Sequence, residues 1–259
     1  MPHSSVAADA GVGFGCRDLT QYAEFREASA LYARVFAYTE SEYALNANLL
    51  TALARNGGSA VGAFTDDGAL IGFAYGFAGC DRRGELFHYS QAAAVDEAHQ
   101  GRGVGQALKQ AQREVARRWG QRSMRWTFDP LLARNAHFNL NSLGAVGIAF
   151  ERDYYARPDT DRLVVAWDLT AEPPVLSAPV VPPALGRDDW GRALHVDGDT
   201  WIAIPARPRE LRAGERDALR SDLDRAMTDV FRRGGVLVAA ARIDDETAAY
   251  RAISGESTT

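Results

Sequence analysis

The chain has 259 residues, 46% of them hydrophobic, and a formal net charge of −5. That length buries a large core, as one domain or two, and the acidic balance gives no basic field for nucleic acid or anionic lipid. Cys16 and Cys80 are too few for a disulfide framework and lack metal-ligand spacing, so no metal is expected. The first ten residues lack the charged start and apolar run of a signal peptide. No apolar stretch approaches the roughly 18 residues of a membrane span. A cytoplasmic protein is expected. Its basic side is almost all arginine: Lys109 is the one lysine against 28 arginines.

In chain order, residues 1–13 are small and polar and read as a disordered start. Residues 13–19 form a weak strand candidate. Two helical patterns follow, at 20–38 and 41–55, with apolar faces on Leu31, Val35 and Phe36 and on Leu45, Leu49, Leu50 and Leu53. Residues 60–64 and 70–77 read as a hairpin across Thr65-Asp66-Asp67-Gly68. A strand at 86–95 leads into the loop Gln100-Gly101-Arg102-Gly103-Val104-Gly105. Val104, Leu108, Ala111, Val115 and Trp119 then recur at helical spacing, and Gly120 supplies the stop. A strand at 124–128, the Asn-rich stretch 131–145 and strands at 146–155 and 163–169 complete a first domain, 14–170. A Pro-rich stretch, 171–184, reads as a stiff connector. The remainder, 185–259, shows a strand (201–204), a helix (215–233) and a strand (236–240). Such a thin β-α-β core is expected to dock on the main sheet or on a partner subunit, which makes a homodimer one arrangement. The pattern alone implies an α/β protein with a mixed sheet.

The glycine loop carries the strongest chemical signal. Glycines at a helix start let backbone N–H groups converge where the first turn's donors and the positive dipole end favour an anion. The loop therefore reads as a pyrophosphate cradle. It lacks the Lys-Ser/Thr pair of a P-loop, having Gln106-Ala107 there. Gly101, Gly103 and Gly105 are spaced too tightly for a dinucleotide fingerprint. With Gln100, Gly103 and Gly105 at fixed positions, the loop resembles the acyl-CoA-binding motif Q/R-x-x-G-x-G/A of the GNAT N-acyltransferase superfamily. The stretches Trp126-Thr-Phe-Asp-Pro130, Asn135-Ala-His-Phe-Asn-Leu140 and Leu143-Gly-Ala-Val146 resemble a bacterial branch of predicted acyltransferases within it. The superfamily resemblance covers roughly residues 14–170. It implies a mixed, mostly antiparallel central sheet flanked by helices, followed here by the C-terminal β-α-β extension.

The resemblance also implies acetyl-CoA or another acyl-CoA as co-substrate, and transfer of its acyl group to an amine. Residues 100–106 (Gln100, Gly101, Arg102, Gly103, Val104, Gly105 and Gln106) would hold the phosphates. Ala94 or Val95 would supply a backbone N–H to the oxyanion, and Asn135 would bond the pantetheine amides. The superfamily's usual acid is a tyrosine four residues before the Leu-Gly glycine, and here that position is Leu140. Tyr154, Tyr155 and water are the alternatives.

An alkyl ammonium must lose a proton before attack. Candidate bases are His88 and Gln91 on the strand and Asp129 at the next strand's end. His88 reads equally as a half-exposed strand histidine, and Asp129 reads as a cap for the following helix. By alternation His88 and Ser90 share a face and Gln91 lies opposite, unless a bulge near the strand's end scrambles the order. His137 is read as bonded to a helix carbonyl or to solvent. Ala92, Ala93 and Ala94 leave either room for an acyl chain longer than acetyl or tight packing. The leading reading is an N-acyltransferase for a small, amino-acid-like amine. A non-catalytic acyl-CoA-binding module and a protein N-acyltransferase are the alternatives.

Overall fold

A computed structural model describes residues 6–7, 13–40, 43–171 and 181–254. Most of the N-terminal stretch and of the Pro-rich connector, for which disorder and stiffness were expected, lies outside the described residues. The chain forms two compact units, Met1–Arg125 and Trp126–Thr259.

In the first unit, strands β1 (Val6–Ala7), β2 (Phe14–Asp18), β3 (Ser59–Thr65), β4 (Leu70–Cys80) and β5 (Leu86–Val95) pair in that order, all antiparallel. Val6 and Ala7 thus lie in the ladder, within the stretch read as disordered. The start of β6 (Ser123–Phe128) pairs parallel to β5. Helices α1 (Tyr22–Val35) and α2 (Ala47–Arg55) cover one face and α3 (Val104–Arg118) the other. Two apolar clusters fill the layers. Phe25, Leu31 and Leu50 pack on Phe73 and Phe64. Val104, Leu108 and Val115 pack on Phe14, Val61 and Ile71. The four-three-four spacing of α3 is thus a core stripe, although Trp119 lies just past the helix and is 47% exposed. Burial pushes the Cys16 thiol, on the α3 side, up to about 11.

In the second unit, α4 (Ala133–Ala136) continues into a π-helical turn at His137–Ser142. Strands β7 (Val146–Glu151), β8 (Arg162–Asp168), β9 (Ala193–Val196), β10 (Asp199–Pro205), β11 (Gly235–Arg242) and β12 (Thr247–Ser254) are ordered β8-β7-β11-β12-β10-β9. Helix α5 (Ala213–Arg232) buries Leu219, Leu223, Ala226, Met227 and Val230. The C-terminal region is therefore β-β-α-β-β, not β-α-β. In β12, Thr247-Ala-Ala-Tyr-Arg-Ala shows neither alternation nor a β-branched run, and pairing on both sides determines its state. Strand β7 also stops at Glu151, four residues earlier than expected.

Candidate functional site

Helix α3 opens on Gly103, held at φ +82°, with Gly101 before it at φ +74°. Both conformations are left-handed and strained for any residue with a side chain. A Cβ built on either glycine meets no atom within 4 Å, so backbone conformation requires glycine there and the space in front is open. As N-cap, Gly103 has no side chain to cap the first turn. Val104 is 1% exposed and anchors the helix start in the core, so only its backbone is available to a ligand. Gln100 donates from Nε2 to the Val95 carbonyl at 3.2 Å, tying the loop to the end of β5. Gly101, Arg102, Gly103 and Gln106 are exposed and Gly105 is half-buried. This open, uncapped helix start fits an anionic diphosphate.

Strand β5 changes character at Gln91. Tyr75 pairs with Ala92 but Gly76 pairs with Ser90, so Gln91 is a bulge residue. Below it, His88 and Ser90 face α3. Above it the faces exchange: Ala93 and Val95 pack with the α3 cluster, Ala92 and Ala94 with the α1–α2 cluster. The three alanines are close packing between helices and leave no acyl groove of their own. The register to β6 is confined to His88↔Met124 and Tyr89↔Arg125, and no partner on that side is described from Ser90 to Val95. The Asp96 N–H bonds the Ile71 carbonyl at 2.9 Å. Alternation then turns the Ala94 N–H into the β4 ladder and the Val95 N–H to the open edge. Of the two expected oxyanion donors, geometry leaves Val95.

His88 is neither half-exposed nor open to a cleft. It is fully buried, with Nε2 2.8 Å from Ser59 Oγ and Nδ1 2.9 Å from Gln121 Oε1. Gln121 Nε2 in turn donates to the Gly57 carbonyl. From Ser59 the network continues through Gln112 Nε2 at 3.0 Å, Gln112 Oε1 to Ser90 Oγ at 2.8 Å, and Lys109 Nζ to Ser90 Oγ at 2.8 Å. Burial, opposed by the Gln121 bond, lowers the imidazole to about 4, and burial lowers the Lys109 ammonium to about 7. With both ring nitrogens committed, His88 is not positioned to take a substrate proton. Ser59, Lys109, Gln112 and Gln121 were not anticipated. Their one sequence signal is that Lys109 and Gln112 border the apolar stripe of α3 three residues apart.

Beyond β6, Asp129 Oδ1 accepts the Leu131 N–H at 2.9 Å. It closes the turn before α4, whose N-cap is Leu132, so it caps that turn and not the helix itself. Asn139 accepts from the Trp126 indole at 2.9 Å and Asn141 from the Ala240 N–H at 2.8 Å. Asn135 is exposed and has no hydrogen bond among the described residues. Leu140 is 2% exposed and points into the core. Tyr154 and Tyr155 are not on β7. They sit in the turn after it, both exposed, ring against ring at 5.0 Å, so strand alternation does not choose between them.

Residues 22–141, a little under half the chain, match the acetyltransferase (GNAT) family. The chain carries a GNAT acetyltransferase domain. The match contains the cradle, β5 and the helix after β6, and the GNAT fold indicates acyl-CoA-dependent acetyl transfer. Among solved structures, a GNAT-family protein from Desulfovibrio desulfuricans is 19% identical over 60% of this chain and 99% of its own, with a TM-score of 0.49. YncA from Salmonella typhimurium, bound to acetyl-CoA, is 19% identical over 67% and 99%, with a TM-score of 0.48. A GNAT acetyltransferase from Streptococcus pneumoniae is 16% identical over 60% and 99%, also at 0.48. No curated protein compared with the chain matches it. Among the described residues no group of side chains forms a metal site, and no helix is long and apolar enough to cross a membrane.

Proposed function

We propose that this GNAT domain is an N-acyltransferase that moves an acetyl or short acyl group from acyl-CoA to the amine of a small acceptor by direct attack. The observation that carries the reading is the glycine-opened start of α3 together with the β5 edge from Ser90 to Val95, which has no strand partner among the described residues. The co-substrate supplies an activated acyl carbon as a thioester. The first-turn amides of residues 103–106 hold its phosphates. The Val95 N–H is the donor for negative charge developing on the carbonyl oxygen.

Most alkyl amines are protonated at neutral pH, with pKa about 10. The acceptor's proton must leave before the C–N bond forms, and the departing sulfur must gain one as the C–S bond breaks. His88 is committed to the core and Asp129 to a turn, so water carries the first proton, with Gln91 the nearest polar side chain on β5. Water also serves the thiolate, with Tyr154 and Tyr155 as the alternative acids. A cytoplasmic location belongs to this reading, since acyl-CoA is an intracellular thioester, and a homodimer is compatible with it.

The test is release of free CoA thiol from acetyl-CoA across a panel of small amines, with the product identified by mass. An amine-dependent gain of an acetyl group is expected. Calorimetric CoA binding with no turnover on any amine favours a non-catalytic acyl-CoA-binding module. Turnover confined to peptides favours a protein acyltransferase.

A further inference from the structure

The second unit holds a cavity of about 460 Å³, within the size range of small-molecule sites. One wall is the shared face of β11 and β12. Arg242 pairs with Ala248 and Ala240 with Tyr250, so these four lie on one side of the sheet. Tyr250 donates its hydroxyl to the Pro130 carbonyl at 2.6 Å, which places that side toward the segment leading into α4. The opposite wall is Ala133, Arg134 and His137 of α4 and its π turn. Ala206 joins Ala240 and Ala248 in lining it, so methyl groups stand where larger side chains would fill the space.

The polar groups at this cavity are unequal. Arg242 is engaged by its own turn, through the Asp244 carbonyl at 2.9 Å and the Asp245 carboxylate at 2.7 Å. The Asp244 carboxylate accepts from the Glu246 and Thr247 N–H groups. Arg134 is exposed and has no partner among the described residues. An apolar hollow with one uncompensated guanidinium at its rim suits a short aliphatic body that ends in a carboxylate.

We propose that this cavity binds a small aliphatic amino acid, its carboxylate on Arg134 and its side chain against the alanines. Resting on the acyl-transfer reading above, we assign that amino acid as the acceptor. The same short helix that exposes Asn135 supplies the cavity's cation.

Calorimetry on the full chain tests the site without turnover, using L-valine and valinamide, which lacks the carboxylate. L-valine is expected to bind, and valinamide about tenfold or more weaker, as a lost charge-assisted bond requires. Arg134→Ala should weaken L-valine by a similar factor and erase the preference over valinamide. Ala206→Leu, at a half-buried wall position with room to grow, should block both. Equal L-valine affinity in wild type and folded Arg134→Ala, or no L-valine binding to wild type, overturns the site. L-valine binding without its acetylation in the acetyl-CoA assay overturns the acceptor role alone. Acetylation of amines without carboxylates, and no valine binding, leaves acyl transfer standing and removes this site.

Discussion

The first half of β5 carries a histidine and a serine, and the second half carries three alanines. Chemical intuition looks for function in the first half. There His88 and Ser90 are sealed under α3 and spend their polar atoms on Ser59, Gln121, Gln112 and Lys109. In the second half the side chains only pack, but the bulge at Gln91 and, among the described residues, the lack of a strand partner on one edge leave backbone amides open to a ligand. Reactive side-chain types here hold the scaffold, and on the acyl-transfer reading plain backbone would meet the substrate. The helix after β6 repeats the division. Asn139 and Asn141 are bonded within the fold, while Asn135 and Arg134 are exposed.

The sharpest break of this comparison is at the open end. Gly103→Val forces a β-branched residue to φ +82° and sets a side chain in the space before the cradle. CoA affinity is expected to fall by at least about 100-fold, because first-turn amides must approach the phosphates directly. Gly105→Val, two residues on and inside the helix, should weaken CoA binding through its side chain alone. Unchanged calorimetric affinity in a folded Gly103→Val protein would remove the cradle from the site.

At the closed end the loss should be one of stability. His88→Leu removes one bond from the Ser59 hydroxyl and the sole partner of Gln121 Oε1 among the described residues, at about 1–3 kcal/mol for a buried polar group left unpaired. The urea midpoint should drop while CoA affinity stays within twofold. A collapse of turnover at unchanged stability would instead make His88 catalytic and reverse the roles of the two halves.

The same network predicts a pH signature. Burial lowers the Lys109 ammonium to about 7 in the fold from the ordinary lysine value of 10.5, so between these values the unfolded chain binds more protons. Stability should therefore rise with pH over that window and be flat in this contribution below it. His88, at about 4 against 6.5, gives a second rise from pH 4 to 6.5. Lys109→Met should remove the upper rise and leave the lower one. An unchanged upper slope in denaturation curves across pH would mean that Lys109 is charged in the folded protein.

The cradle and α3 were legible in sequence because both are local: the glycine spacing and the apolar stripe lie within twenty residues. The hairpin of β3 and β4 was legible for the same reason. The buried network was not, since its hydrogen bonds join residues 19 to 64 positions apart and either partner alone looks like a surface residue. Alternation did place His88 and Ser90 on one face, but nothing local says that α3 covers it. The alanine-lined cavity was hidden by its own chemistry, because alanines in a strand read as neither surface nor core.

Tyr154 and Tyr155 give the smallest expected effect and test whether the open end works through backbone alone. Their candidacy as acids rested on a strand running through residue 155, which would aim one of them inward. Instead the strand ends at Glu151, and the turn is set by its own bonds: the Tyr154 N–H to the Thr160 carbonyl, the Tyr155 N–H to Thr160 Oγ1, and the Asp153 N–H to the Asp161 carboxylate. Arg162 lies 5.2 Å over the Tyr155 ring, so that ring is held by a cation and by its neighbour. Tyr154→Phe and Tyr155→Phe should each keep turnover within about threefold and leave the pH profile in place, far from the roughly 10² to 10⁴ lost with a general acid. A loss of that size in one of them, at intact CoA affinity, would mean that a side chain protonates the thiolate. Backbone and water would then no longer suffice, and the division along β5 would need a third element.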